Sequence, residues 1–335
     1  MAEFQMDKTM RWPPHLLGLI TPLYTFFSLY LGGWWMLSPI ILFLIIYPIL
    51  DFVFGKSPPV EPAVEGLPFA LIIHFHGLMV PINIAYLLYL ITANGLSGMM
   101  LLGIITVGLS TGASGIVTAH ELGHRRPKTF SWWLARIDLL STLYLHYTVE
   151  HNYTHHKHWA RECDPTSSKL GRGFYIHLLQ TIPRQIKGAY KAKPGDVKIG
   201  FALEIALLVG LAVISKYVLV AFLLQAVIAI ILLEFTNYMQ HHGLIRTMDE
   251  RGTSQHAWES RHRWSRWTLL ELPLHPAHHL KASTPYDKLA TIDDAPQLKY
   301  GYYVMFWIAL LPPLWHRVMA NEIKRNKELL PSPIE

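Results

Sequence analysis

Residues 96–124 read LSGMMLLGIITVGLSTGASGIVTAHELGH. From Leu96 to Ala119 the stretch carries no charged residue, and about 20 such residues cross the hydrocarbon core of a bilayer. It then breaks directly into His120-Glu-Leu-Gly-His124. A membrane span that ends in paired histidines is the unit from which the rest of the chain is read.

Five more apolar runs lie outward from it, at roughly 16–31, 33–54, 67–91, 199–215 and 218–238. None of the six contains Lys or Arg, although the first carries Pro22 and the fifth Glu204. Of 335 residues, 51% are hydrophobic and 16% charged, against about 25% charged in a soluble domain. The fold class expected is an all-α integral membrane protein, a single domain over 1–335 with six transmembrane helices and a cytoplasmic cap carrying histidine boxes. The first run lacks the pattern of a secretory signal and is read as retained.

Six spans put both ends of the chain on one side. The outer turns are then Gly32–Gly33, 92–95 and Lys216–Tyr217, and of 29 Lys and Arg only Lys216 falls in them. This bias makes the basic side cytoplasmic, in a bacterial inner membrane. It assigns the net charge of +6 to a membrane face and not to nucleic acid. The polar stretches 120–198 and 239–335 face the cytoplasm. Within them, 132–147 and 302–319 read as amphipathic or interfacial helices, and the tail after Pro331 as a frayed end. The lone Cys163 excludes an internal disulfide and a Cys-ligated iron–sulfur cluster.

There are 19 histidines, and four groups stand out: His120 and His124; His151, His155 and His156; His241, beside His242; and His275, His278 and His279. The first and third begin where inward-running spans end, so both emerge at the same face. His120 and His124 are spaced i,i+4 and share a helix face, as do His151 and His155, with His156 turned about 100° away. His278 and His279 follow His275 by three and four residues. Neutral imidazole suits iron, copper, zinc and nickel. Nine ligands are too many for one ion, and four or five each point to two ions. Taken singly, a histidine at a membrane surface is ordinarily a polar anchor. His15, His74, His76, His146, His158, His177, His256, His262 and His316 are read that way.

His-Glu-x-x-His is also the zincin signature, with Glu121 as general base. A membrane zinc metalloprotease would need only one further ligand, leaving the other histidines without a role. A ferritin-like carboxylate site would need a second Glu-x-x-His, and none is found. A metal transporter would want polar groups along its spans and on both faces. Glu121, Glu150, Asp164, Glu204 and Glu234 are candidate hydrogen-bond acceptors for histidine N–H groups. Phe43 and Tyr47, at i,i+4 on the second run, are candidates for an apolar channel wall.

The order HELGHR, EHNYTHH, NYMQHHGL and LPLHPAHH resembles the membrane-bound alkane 1-monooxygenases (alkane ω-hydroxylases), within the membrane fatty-acid desaturase/hydroxylase superfamily. Asp164-Pro-Thr-Ser-Ser, Tyr286-Asp-Lys-Leu and Ala295-Pro-Gln-Leu extend the likeness, which runs from the first span to about Met319. The resemblance implies six transmembrane helices, a non-haem di-iron centre and electrons from rubredoxin and its reductase. Its ligands would be His120, His124, His151, His155, His156, His241, His275, His278 and His279, the family's Asn-Tyr-x-x-His motif placing His241 and not His242 on iron. Departures are His242 for the usual tyrosine, Thr154 for glycine, and Leu274 and Ala277 for an Arg and an Asp. Xylene-type methyl hydroxylases share much of the pattern.

The implied reaction is the hydroxylation of the terminal carbon of medium-to-long n-alkanes by O2. The alkane reaches the site from the bilayer through a narrow apolar tunnel. A single cysteine rules out a fused rubredoxin domain, which needs four thiolates, and no dinucleotide fingerprint is present. The electron donor is therefore a separate protein meeting the basic face, with Arg125, Arg126 and Lys157 as candidate contacts.

Overall fold

The computed structural model describes residues 11–328; the tail after Pro331 lies outside them. Among these residues the structure is helical, and extended pairing is limited to isolated bridges, Lys56 with His262 and Glu259 with Gln297. Five helices are long and apolar enough to cross a membrane. They are α2 (Gly33–Phe54), α3 (Leu67–Asn94), α4 (Gly98–Leu122), α8 (Pro194–Ile214) and α9 (Lys216–Gln240). The first apolar run is helical as well, a 3₁₀ turn at Pro13–Leu19 leading into α1 (Ile20–Leu31). It is not among those five, because three prolines, a histidine and two tyrosines dilute its hydropathy and the tight 3₁₀ turn takes up its first third.

Shorter helices complete the fold: α5 (Phe130–Leu140), α6 (147–158), α7 (Phe174–Ala192), α10 (Arg263–Thr268), α11 (His275–Leu280), α12 (Tyr302–Ala309) and α13 (Pro312–Arg325). The stretch 132–147 is thus α5 followed by turns. The stretch 302–319 divides into two helices where Leu310 and Leu311 precede Pro312. α7 was hidden in a polar stretch. It buries Phe174, His177, Thr181, Gln185 and Ala189 on one face, the i+3/i+4 stripe of an amphipathic helix.

The central pairing is α4 against α9, and glycine makes it close. A methyl group at Gly108 would sit 2.8 Å from Ile228 Cβ, and one at Gly112 2.5 Å from Leu232 Cδ1. Small residues four apart let membrane helices approach in this way. Residues 108 and 112 meet 228 and 232 in ascending order, so the two helices are parallel. Their C-terminal ends, at His120 and His241, therefore lie at the same end of the bundle.

Among the described residues three helical stretches are wound as π-turns: Leu42–Ile46, Thr111–Ile116 and His151–His155. Such turns are uncommon and concentrate at functional sites. One widens α4 just before HELGH, and another coincides with the second histidine group.

Candidate metal centre

Two groups of histidine nitrogens form at that end of the bundle. His120, His124, His151 and His278 make one; His155, His241, His275 and His279 make the other; within each the potential ligand atoms lie within 4.8 Å of one another. His156 joins the first group, its Nε2 3.0 Å from that of His151 and 3.1 Å from that of His278. The histidines expected from the sequence to act together are thus brought together, five and four. Seven of them are buried, while His124 and His156 keep an edge exposed.

The division of the His151–His156 segment between the two groups differs from the expected face-sharing of His151 with His155. The π-turn returns the His156 N–H to the His151 carbonyl, so these two rings converge and His155 is directed to the other group. On α11, His275 and His279 stay together and His278 crosses to the first group. His241 ends α9 inside the second group, whereas His242 faces Ser168 and packs on Tyr238 and Trp315.

The donor set fits metal ions. His279 Nε2 lies 3.2 Å from His155, 3.1 Å from His241 and 2.9 Å from His275. A ring nitrogen has one proton or one lone pair and cannot hydrogen-bond to three others at once. Nitrogens at right angles around one ion, with bonds of about 2.1 Å, lie about 3 Å apart. In the first group His120 Nε2 and His124 Nε2 are buried without a hydrogen-bond partner among the described residues. Burial, then the neighbouring rings, pushes His151, His156, His275, His278 and His279 well below the usual imidazole range, and burial takes His241 down to about 3. These six rings are neutral at pH 7, the form that binds metal.

Of the five acidic candidates, Asp164 touches a cluster histidine. Its carboxylate lies 3.1 Å from His155 Nδ1 and accepts from Thr166 Oγ1 at 3.0 Å and Ser167 Oγ at 2.6 Å. Burial raises this carboxyl, but His155 and the hydrogen bonds outweigh it and hold Asp164 at about 2. A carboxylate behind a ligating imidazole fixes its tautomer and orientation. Glu121 instead accepts from Arg125 at 2.6 Å and the Tyr286 N–H at 3.2 Å. Glu234 accepts from Tyr144 and Gln185 at 2.8 and 2.9 Å. Glu204 accepts the Leu145 N–H at 2.8 Å. It lies mid-helix, because α8 starts at Pro194, before the apolar run that begins near residue 199. Glu150 is fully buried beside His151, and neither carboxyl oxygen has a hydrogen-bond partner among the described residues.

A buried acid also sets up the last histidine group. Leu270 and Glu271 both take left-handed backbone conformations, φ 51° and 56°, which cost non-glycine residues free energy. Glu271 is held there by Arg266 at 2.6 and 2.8 Å, Arg11 at 2.9 Å and His15 at 3.1 Å. The turn delivers Leu272 to the cavity described next and His275 to the second group. Sequence reading missed this network, and also Thr166 and Ser167, although the DPTSS string pointed to the last two.

Apolar cavities lead away from the histidines. One touching His120 and His278 shares Val117 and Leu272 with a second, which is also lined by His120. The second shares Gly112, Val117, Thr236 and Leu272 with a third, lined by Phe43, Tyr303 and Phe306. Phe43 also faces a fourth, beside Tyr47.

Paired histidine groups at the end of membrane-length helices, the first bordering an apolar cavity, define a histidine-box membrane metal enzyme. The fatty acid desaturase family model matches residues 96–309, a span containing all nine histidines. Alkane 1-monooxygenase of Acinetobacter baylyi is 31% identical over 88% of this chain and 76% of its own length. Alkane 1-monooxygenase 1 of Pseudomonas aeruginosa is 31% identical over 87% and 84%. The hydroxylase component of xylene/toluene monooxygenase from Pseudomonas putida is 27% identical over 67% and 64%. The chain belongs to the fatty acid desaturase family and, within it, to the alkane 1-monooxygenase group; it is an oxygenase.

Proposed function

We propose that the chain converts medium-to-long n-alkanes to primary alcohols, using O2 and electrons delivered by rubredoxin and its reductase. The observation that carries the reading is the series of apolar cavities, neighbours sharing wall residues, that lie between Phe43 and the His120 and His278 rings. The overall reaction is RH + O2 + 2 e⁻ + 2 H⁺ → ROH + H2O. Two non-haem iron ions, held by His120, His124, His151, His156 and His278 and by His155, His241, His275 and His279, would supply the O2 activation that an inert C–H bond requires.

The chain's own part is to bind and aim the substrate. Burying each methylene contributes about 0.8 kcal/mol, which holds a molecule that makes no hydrogen bonds. Thr236, the polar wall residue shared by two cavities, donates its hydroxyl to the Leu232 carbonyl at 3.0 Å, so it makes no demand on the alkane. Trp307 walls the cavity nearest Phe43 and is itself 44% exposed; the substrate enters there from the lipid. The terminal carbon then meets the first histidine group, with its tail toward Phe43 and Tyr47. In this reading the Pro13–Leu31 helix is the sixth span, and the histidines face the cytoplasm across a bacterial inner membrane.

A second reading, hydroxylation of an aromatic methyl group, is favoured by the aromatic wall of Phe43, Phe235, Tyr302, Tyr303 and Phe306. Metal and product analysis of the purified protein tests both. About two iron ions per chain and O2-dependent formation of 1-alkanols support the first reading. Turnover restricted to methylarenes supports the second. One zinc ion with O2-independent peptide cleavage, lost in Glu121→Gln, would replace both with a protease.

A further inference from the structure

Among the described residues, the aromatic ring other than histidine that packs on the second histidine group is that of Trp159. Trp159 stacks on His279, with centroids 4.4 Å apart and planes at 21°. The indole is 4% exposed. What covers it is thin: a methyl group at Gly252 would lie 2.6 Å from Trp159 Cζ2 and 2.9 Å from Nε1, so backbone rests on the ring where any side chain would stand off. Gly252 is itself partly exposed. Arg246 completes the cover, its guanidinium 5.7 Å from the ring centroid and its Nε donating to the Trp159 carbonyl at 2.8 Å. One packed path thus runs from the surface at Gly252, through the indole, to the His279 ring.

The rim of this path is basic. Lys157 precedes the tryptophan by two residues, Arg251 adjoins Gly252, and Lys281 follows His279 by two. All three are exposed and form no ion pair among the described residues. The nearby acids are Glu162, paired with Lys169 at 2.6 Å, Glu250, 3.6 Å from His256 Nε2, Asp249, and Asp294, which accepts from Ser254 Oγ at 2.7 Å. With Arg246 over the ring, four cations face the three acids not paired with a lysine. Electron tunnelling falls off less steeply through packed atoms than across gaps. A carrier seated on Gly252 would have the indole and His279 between its own centre and the metal.

We propose that Trp159 is the route by which electrons reach the second histidine group, and that the acidic face of a small one-electron iron–sulfur carrier docks over Gly252 between Lys157, Arg251 and Lys281. This rests on the rubredoxin-dependent reading above. Each reduced carrier gives up one electron and leaves oxidised. Two such visits supply the two electrons of one turnover, and the two protons come from solvent.

The test uses the iron-loaded full chain in nanodiscs, with reduced rubredoxin or dithionite as reductant in stopped flow. Trp159→Leu should slow rubredoxin oxidation about tenfold, a rise of about 1.4 kcal/mol in the barrier, because it opens a gap in the packed path. Its iron content and its reduction by dithionite should stay at wild-type values, and Trp159→Phe should fall between. The double variant Arg251→Glu/Lys281→Glu should raise the Kd of labelled oxidised rubredoxin about fivefold, as expected for two exposed ion pairs, while Trp159→Leu leaves it unchanged. Should Trp159→Leu load less iron, Gly252→Ala, which touches no histidine ligand, carries the test and should give the same reductant-selective slowing. Equal slowing with both reductants would make the stack a support for His279 and overturn the proposal, as would an unchanged rubredoxin rate. An iron-loaded wild type that rubredoxin fails to reduce would overturn the functional reading itself.

Discussion

Asp164 shows how much one buried side chain organises. It gathers His155, Thr166 and Ser167 around a single carboxylate. If His155 holds iron, Asp164→Asn should lower metal affinity or turnover roughly 10–100-fold, measured by metal titration. The carboxyl also sets an acid limit. It titrates near 3.9 in an unfolded chain and at about 2 here. A depressed folded value contributes stability that is complete above the unfolded value and lost as pH falls through the folded one. Thermal unfolding should therefore show a loss of stability between about pH 4 and pH 2 that Asp164→Asn lacks. His155→Ala and His278→Ala, one from each group, should both lose iron and hydroxylation while still inserting in the membrane. His158→Ala and His262→Ala, outside both groups, should keep most of their iron. Full activity in either of the first two would remove that residue from the ligand set.

Elements decide what those residues can reach, and here the sequence was legible in part. Apolar runs give the long helices, because bilayer thickness dictates their length. Histidine spacing gives the groups. Which histidine joins which group was hidden, since it depends on a π-turn that ties His156 back to His151, and periodicity presumes an α-turn. The cavity was hidden as well. It arises only when α4 packs on α9, so Phe43 could be picked from its own helix, whereas Gly112, Thr236 and Leu272 could not. Glu271 with Arg266 and His15 joins parts of the chain too far apart for any local pattern. The α4–α9 contact makes a separable prediction. Gly108 packs on Ile228 away from the cavity lining, and Gly112 packs on Leu232 and also lines it. Both alanine variants should destabilise by about 1–3 kcal/mol through overpacking. Gly112→Ala should in addition lower turnover more for long alkanes than for short ones. A length-independent loss in Gly112→Ala would detach the cavity from substrate binding.

At the scale of the whole molecule the question is where reducing power comes from. One cysteine in 335 residues cannot build a rubredoxin-type centre, and no nucleotide fingerprint precedes any helix. The purified chain with alkane, O2 and NADH should therefore be inactive, and rubredoxin with its reductase should restore formation of the terminal alcohol, followed by gas chromatography. The basic surface predicts how. As salt rises from 0.01 to 0.15 M the Debye length falls from about 30 Å to about 8 Å, so the rate at limiting rubredoxin should drop while the rate at saturation holds. Exposed Arg126 and Lys157 form no ion pair among the described residues, whereas Arg125 is engaged by Glu121 at 2.6 Å. Charge reversal at Lys157 or Arg126 should then raise the rubredoxin requirement without changing iron content. Reversal at Arg125 should do more, because it also strips a partner from buried Glu121, one residue from His120. A salt-insensitive rate with silent reversals at Arg126 and Lys157 would reduce the basic face to a signal that orients the chain in the membrane, and turnover with NADH alone would remove the need for a carrier.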